Sequence, residues 1–202
     1  MCRYWFVGYF VLGTSISSGC SEKPQSREGE PGYSATHAAV VVPPSTGDPD
    51  HDFLRRMSDH HKDLIRITHA VLESSSSAAA DPVLRKFEDE HDHELDTLLA
   101  LLRSKYNDSY LPKNDPQNDY VVEMMRGPQT DYVGIFVGAA LKSEGAAVRL
   151  ANDYLPKAKN PKVRAFAVRL LEDEQGEMAS LRNALSRRLD TVNRRVGLDT
   201  LR

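Results

Sequence analysis

The chain has 202 residues, which is enough for one domain with a substantial apolar core. Its formal net charge of −3 argues against nucleic acid as the main partner, because a nucleic-acid-binding surface carries an excess of Lys and Arg. Only 7% of the residues are aromatic, and this favours an all-helical core of Leu, Val and Ala over a β-sheet.

Residues 1–20 read as an export signal that ends in a lipoprotein-type cleavage site. Arg3 precedes the apolar run Tyr4–Leu12, which is too short to span a membrane. Small residues then lead to Cys20, the predicted lipidation site, although Ser17 stands where such sites usually carry Leu. A plain secretory signal is the alternative. Because Ser21 is neutral, we expect a lipid-anchored protein of the periplasm, with the outer membrane favoured.

The rest of the chain divides into a linker, a folded body and a tail. Residues 21–49 are rich in Pro, Gly, Ser and Thr and lack a helical period, so they are predicted to form a flexible linker. The body, residues 50–192, contains no cysteine, and this excludes a disulfide or a thiolate metal site there. Residues 193–202 are predicted to form a basic C-terminal tail.

Four long helices are predicted in the body, because apolar residues recur at alternating spacings of three and four. They are expected at about 49–73, 81–105, 131–155 and 161–192. A long connection with several prolines separates the second helix from the third, and it contains a short predicted helix at 119–126. Short, long and short connections in this order predict a ferritin-like four-helix bundle with one crossover.

The body contains an internal repeat. Residues 53–102 align with residues 136–185 at a constant shift of 83 (136 − 53), so the bundle is predicted to consist of two repeated helical hairpins. In both halves, polar side chains interrupt the apolar stripe at matching positions. They are His61, His91 and Glu94 in the first half and Glu144, Glu174 and Glu177 in the second.

These six side chains are expected to share one layer of the bundle. Residues equally far from a hairpin turn lie at the same level, and residues three apart on a helix point the same way. Unpaired carboxylates in an apolar core cost many kcal/mol, whereas one or two divalent cations would neutralise them. Copper, iron, zinc and manganese are the candidate metals, and His60 and Met57 are further candidate ligands.

The predicted ligand set has the same number of His and carboxylate ligands as ferritin-like dinuclear sites, but the residues follow a different order along the helices. Two imidazoles and four carboxylates hold iron or manganese in those sites, where the motif is Glu-x-x-His. Here the second helix carries His91-x-x-Glu94 and the fourth carries Glu174-x-x-Glu177.

Two segments carry a resemblance to a known family. They are DHDFLRRMSDHHKDLIRITHAV, from Asp50 to Val71, and LRKFEDEHDHELDTLL, from Leu84 to Leu99. They resemble the DUF305 family of exported, ferritin-like helical proteins of bacteria, some of which bind copper. The matching residues are Phe53, Met57, His60, His61 and Glu94-Leu95, and, in the second half, Phe136, Ala151 and Glu177-Met178.

The chain departs from the family pattern at its soft ligands. The family's Gln is His91, its Met-Ala is Ile67-Thr68, and its second His pair is Ser143-Glu144. Copper(I) prefers Met and His, so the His and Glu set of this chain suits zinc, iron, manganese or copper(II) better.

Three functions are compatible with these observations. The first is a metal-binding, metal-buffering lipoprotein of the cell envelope, and it is favoured. The second is a dinuclear-metal oxidoreductase acting on oxygen or peroxide. The third is a helical interaction module without metal, in which Lys142, Arg149 or Arg169 pairs with the glutamates in a buried salt network. The oligomeric state is left open, with a homodimer as one alternative.

Overall fold

The structure is a computed structural model that describes residues 42–74, 81–127 and 131–196, with side chains as far as residue 187. The predicted signal segment with Cys20, most of the predicted linker, and the tail from residue 197 lie outside these ranges. Within them the chain is all-α, as predicted. Its helices are α1 (Pro49–Ser74), α2 (Pro82–Tyr106), α3 (Asp119–Arg126), α4 (Tyr132–Tyr154) and α5 (Pro161–Val196), with 3-10 turns at Pro116–Asn118 and Leu155–Lys157.

Each long helix begins next to a short polar side chain that accepts hydrogen bonds from the N–H groups of the first turn. Proline follows three of these caps, at 49, 82 and 161, where a helix needs no N–H donor. At the start of α4 glycine at residue 134 leaves room for the cap, because a Cβ there would lie 2.5 Å from the capping carboxylate and displace it. The capping residues are Asp48, Asp81, Asp131 and Asn160.

The four long helices form the predicted ferritin-like bundle. α1 packs against α2 in the first hairpin, α4 packs against α5 in the second, and α1 joins the hairpins by packing against α4. The long crossover places α3 against α1. The short helix at 119–126 is confirmed, and α5 continues to Val196, so residues 193–196 are helical rather than part of the predicted tail.

The core has two apolar parts with a polar layer between them. The first core lies towards the α1–α2 turn and the second towards the α4–α5 turn. Between them, each of the four long helices contributes a buried polar side chain to this layer. These side chains are His61, His91, Glu144 and Glu174. The largest members of the first core include Leu64, Phe87, Phe136 and Leu181, and those of the second include Phe53, Leu98, Tyr154 and Phe166.

Two buried aspartates of α1 fasten the irregular segments to the bundle. Asp50 accepts hydrogen bonds from the Tyr154 hydroxyl and from two backbone N–H groups of the α4–α5 turn. Asp63 accepts from the Asn118 side chain and from a backbone N–H of the crossover. These carboxylates are fully partnered, so they have a structural role that the apolar periodicity did not reveal.

None of the described helices combines the length and the apolar character that crossing a bilayer requires.

Candidate metal centre

The polar layer brings together seven of the eight predicted ligands. His60 and His61 come from α1, His91 and Glu94 from α2, Glu144 from α4, and Glu174 and Glu177 from α5. The side chains of His61 and Glu144 are 0% exposed and that of Glu174 is 2% exposed. A set of this kind at the centre of a core requires a compensating partner for its charges.

His61 is oriented by the helix that carries it. Its Nδ1 lies 3.0 Å from the carbonyl oxygen of Met57, and because a carbonyl only accepts, Nδ1 carries the proton and donates it. Its Nε2 lies 2.9 Å from a carboxylate oxygen of Glu94. In a neutral ring that nitrogen is an acceptor too, so two acceptors face each other unless Nε2 is protonated or a cation lies beside both.

His91 repeats this arrangement on α2. Its Nδ1 donates to the carbonyl of Phe87 at 2.8 Å, and its Nε2 faces Glu144 Oε1 at 3.2 Å and Glu177 Oε2 at 3.6 Å. A backbone carbonyl on one ring nitrogen leaves the other free for a metal, and this is the usual outer-shell arrangement of metal-binding histidines. Burial lowers the pKa of His91, but the bond to Glu144 and the charge of Glu177 outweigh it and raise the pKa to about 9.

His60 extends the layer on the α1 side. Its Nδ1 and the Ser143 hydroxyl form a hydrogen bond of 3.3 Å, and its Nε2 lies 3.9 Å from Glu174 Oε1. Burial, reinforced by the neighbouring His61 and His91, holds the pKa of His60 well below its usual value. The ring is therefore neutral near pH 7, which is the state in which imidazole binds metals.

Five buried side-chain atoms of the layer have no hydrogen-bond partner. They account for every such atom in the part of the chain that the structure describes. Leaving a buried polar atom unpaired costs about 1–3 kcal/mol, so five in one place are a costly arrangement unless something else binds them. The atoms are His60 Nε2, Glu144 Oε2, both carboxylate oxygens of Glu174, and Glu177 Oε2.

The carboxylates of the layer differ in their protonation. Burial raises the pKa of Glu94, but its hydrogen bond with His61 reverses the effect and lowers it overall. Burial also raises the pKa of Glu177; the charge of His91 opposes this shift, the charges of Glu144 and Glu94 add to it, and the pKa reaches about 8. Glu177 thus binds a proton at neutral pH in the metal-free protein, and a cation would displace that proton.

The ligand atoms form three overlapping groups, each with all members within 4.8 Å of one another. Two ligands bound to one ion at about 2.1 Å in a tetrahedral arrangement lie about 3.4 Å apart. The separations of 3.2–3.9 Å between Nε2 atoms and carboxylate oxygens are close to this value. Glu174 belongs to two groups. The groups are His60, His61 and Glu174; His61, His91 and Glu94; and His91, Glu144, Glu174 and Glu177.

Met57, the eighth predicted ligand, is fully buried and belongs to the second core with Phe53 and Leu54. Its backbone carbonyl orients the ring of His61. Its role as a metal ligand stays a prediction.

The sequence is also compatible with a buried salt network with Lys142, Arg149 or Arg169 as an alternative to metal binding. Within the described residues these ion pairs are not formed. The ion pairs recorded there for Glu144, Glu174 and Glu177 all have histidine partners, and none joins these carboxylates to Lys142, Arg149 or Arg169. The guanidinium of Arg169 instead lies over the ring of Phe166. Lys142, Arg149 and Arg169 thus do not neutralise these glutamates, and the raised pKa of His91 makes that ring the cation that faces Glu144 and Glu177 in the metal-free protein.

Ser143 is the contributor that the apolar stripe did not identify. It hydrogen-bonds His60, and it occupies the position equivalent to His60 in the second repeat (60 + 83 = 143). Its only sequence signal is this alignment, since a serine in a helix is otherwise unremarkable.

Comparison with solved structures supports the fold. The chain is similar to the crystal structure of a DUF305 fragment from Deinococcus radiodurans, with a TM-score of 0.61 and 17% sequence identity, over 72% of this chain and 99% of that one. This confirms a DUF305-like fold, and at that identity the likeness concerns the fold alone. No family model and no curated protein matches the sequence.

Proposed function

We propose that this protein is a metal-binding protein of the cell envelope that holds one or two divalent cations in its polar layer and buffers them. The observation that carries the proposal is the set of five unpartnered buried atoms around histidines whose other ring nitrogens are already hydrogen-bonded. Partners of this kind orient metal-binding histidines in proteins.

The donor set favours borderline and harder divalent ions. Imidazole suits zinc, copper(II) and iron, and carboxylate suits manganese and iron, whereas copper(I) prefers thioether sulfur. Because Met57 belongs to the apolar second core and the other predicted ligands are His and Glu, the proposal favours zinc, iron, manganese or copper(II) over copper(I) storage.

Elemental analysis tests the proposal directly. We would purify protein carrying Cys20→Ser, which prevents lipidation, and incubate it with Fe(II), Mn(II), Zn(II), Cu(II) and Cu(I). One or two equivalents of a divalent metal are expected after dialysis, and none in a His61→Ala/Glu94→Ala variant. The matched control is His69→Ala/Glu73→Ala, which removes an exposed His–Glu pair of the same helix. A folded protein without metal would point instead to the interaction module.

The proposed location has its own test. If the chain is exported and lipidated at Cys20, the unchanged protein will fractionate with membranes, and Cys20→Ser will fractionate with soluble periplasmic proteins. A soluble unchanged protein would support the plain secretory signal instead.

A dinuclear-metal oxidoreductase is the second candidate, and the shared position of Glu174 favours it. This carboxylate reaches the His60–His61 group and the His91–Glu144–Glu177 group, so it is placed to serve two ions at once. Bound redox metal would supply chemistry towards oxygen or peroxide, and the residues of the layer would hold it. Consumption of peroxide by Fe(II)-loaded or Mn(II)-loaded protein, absent from the zinc form and from Glu174→Gln, would support an enzyme over a buffer.

A further inference from the structure

The polar layer is most exposed to solvent between α2 and α5. α2 and α5 flank a cleft with a volume of about 880 Å³, which Glu94 and Glu177 both line. These two side chains are 18% and 19% exposed, whereas that of His60 is 10% exposed and the remaining ligands are almost fully buried. The cleft exists because α2 and α5 do not pack closely, unlike α1 with α2 or α4 with α5.

The wall of the cleft is strongly acidic. Two further residues of α2 and two of α5 add carboxylates to those of Glu94 and Glu177, while two basic side chains and one histidine also line it. One of the bases, Lys86, forms an ion pair with Glu90 at 2.9 Å. A cleft with an excess of one charge sign concentrates ions of the opposite sign and accelerates their binding. The added acids are Asp89, Glu90, Glu172 and Asp173.

Buried groups without a hydrogen-bond partner lie next to the cleft. Glu177 Oε2 has no hydrogen-bond partner, and neither carboxylate oxygen of the buried Glu174 beside it has one. Both carboxylates belong to one group with His91 and Glu144, within 4.8 Å. The acidic wall therefore leads to buried groups that need a cation.

Two further cavities that reach the layer are less suited to cations. One adjoins the cleft at Glu90 and Glu177, has a volume of about 660 Å³ and is lined largely by apolar side chains such as Phe136 and Leu181. The second touches His60 between α1 and the crossover, and its volume is about 160 Å³. Arg56 and Lys113 line this second cavity together with three aspartates, and each aspartate already accepts a hydrogen bond from a backbone N–H of the crossover.

We propose that the cleft between α2 and α5 is the route by which hydrated divalent cations reach and leave the centre, and that Glu90 and Asp173 speed this exchange by attracting them. The inference rests on the proposed function, because it assigns a path to the ions that the layer binds. Glu90 and Asp173 act on the rate of exchange, and the ligands of the layer set the affinity.

A charge test uses Co²⁺ as the probe, because its visible absorption reports binding to His and Glu ligands. Stopped-flow mixing would give the association rate constant of the unchanged protein and of Glu90→Gln/Asp173→Asn. We expect the variant to bind about three- to tenfold more slowly in low salt. The difference should vanish near 1 M salt, where charges are screened over about 3 Å. The control, Glu73→Gln/Glu123→Gln, neutralises two exposed acids away from the cleft and should leave the rate unchanged.

A second test narrows the cleft without changing its charge. Gly176 lines the cleft and a Cβ there meets no other atom within 4 Å, so we expect Gly176→Leu to narrow the passage without displacing the helix. Gly138→Leu is the matched control, because Gly138 also lies in a helix with open space around it but outside the cleft. We expect Gly176→Leu to slow Co²⁺ binding and release together, at least severalfold, with unchanged stoichiometry.

The outcomes are distinguishable. Full Co²⁺ loading with association rates equal in all variants would overturn the route and leave the metal centre intact. A loss of stoichiometry in Glu90→Gln/Asp173→Asn with an unchanged rate would also overturn it, because those side chains would then be ligands. If the unchanged protein binds no Co²⁺ or Zn²⁺, the proposed function fails and the route fails with it.

Discussion

The two hairpins place side chains at equivalent positions but give them different chemistry. His61 corresponds to Glu144, His91 to Glu174, and Glu94 to Glu177 (shift of 83). The contacts follow the same symmetry: His91 meets Glu144 at 3.2 Å, and its equivalent, Glu174, meets His61 at 3.9 Å. The bundle therefore determines where the polar groups meet, while the residue types make one side of the layer rich in nitrogen and the other rich in oxygen.

The largest effect is expected from removing the carboxylate of Glu174, which belongs to ligand groups on both sides of the layer. Replacing an outer-shell partner typically costs 10- to 100-fold in metal affinity, so we expect Glu174→Gln, a change at a ligand, to cost at least about 100-fold. Because neither oxygen of Glu174 has a hydrogen-bond partner and its histidine contacts are as long as 3.9 Å, losing its charge should also raise the melting temperature of the metal-free protein. Calorimetric titration with Zn²⁺ and thermal unfolding in chelator measure the two effects.

The control for this substitution is Glu123→Gln, an exposed glutamate on α3. Unchanged affinity in Glu174→Gln would show that the carboxylate is not a ligand. A lower melting temperature in the metal-free state would show that it has partners after all.

The contact between the two sides, where His91 faces Glu177, also predicts how stability depends on pH. The folded-state pKa of His91, about 9, and that of Glu177, about 8, both lie above the ordinary values of 6.5 and 4.5. The folded protein thus binds these protons more tightly than the unfolded chain, and the stabilisation present at low pH is lost as the pH rises through the folded pKa values. Between pH 7 and 9 we expect the free energy of unfolding of metal-free protein to fall by about 2–3 kcal/mol.

Urea unfolding at several pH values, with chelator present, tests this expectation. The window lies above the ordinary pKa of histidine, so the lowered pKa of His60 adds little there. Glu177→Gln should flatten the dependence, and a free energy of unfolding that rises from pH 7 to 9 would contradict the assignment.

A third substitution tests a position where the two hairpins differ but no metal ligand is involved. Asp50 corresponds to Val133 in the second repeat, and it binds the Tyr154 hydroxyl and two backbone N–H groups of the α4–α5 turn. Asp50→Ala leaves these donors unpaired, so we expect a loss of about 2 kcal/mol in the free energy of unfolding. Asp153→Ala, an exposed aspartate beside Tyr154, is the control for urea unfolding. Metal stoichiometry should not change, and a loss of metal would refute a purely structural role.

The smallest expected effect is a change in metal selectivity when the two sides of the layer are made more alike. Glu144→His would place a nitrogen donor on the oxygen-rich side at the position equivalent to His61. Because imidazole favours zinc over manganese more than carboxylate does, the ratio of Zn²⁺ to Mn²⁺ affinity should rise by about tenfold. Competition titrations with one indicator measure the ratio, and an unchanged ratio would place Glu144 outside the ligand set.

Much of this architecture was predictable from the sequence, because it depends on periodic features. Apolar spacing identified all four long helices, connection lengths gave the topology, and the repeat predicted that residues as distant as His61 and Glu174 share a layer. The roles of Asp50 and Asp63 were missed because their partners lie in irregular segments, where no period applies. The separation of α2 from α5 depends on side-chain packing in three dimensions, so the sequence did not reveal the cleft.

The polar layer also divides the apolar interior into two cores, and this has a consequence for local opening. Apolar stabilisation grows with continuous buried area, and unfolding units often follow such packed regions. Without a bound ion, a layer with five unpaired buried atoms couples the two cores weakly, so we expect amides beside the first core to exchange with solvent independently of those beside the second. An ion held by all four long helices would join the two cores into one cooperative unit. Native-state hydrogen exchange would then show slower amide exchange in both cores, including at residues far from the ligands.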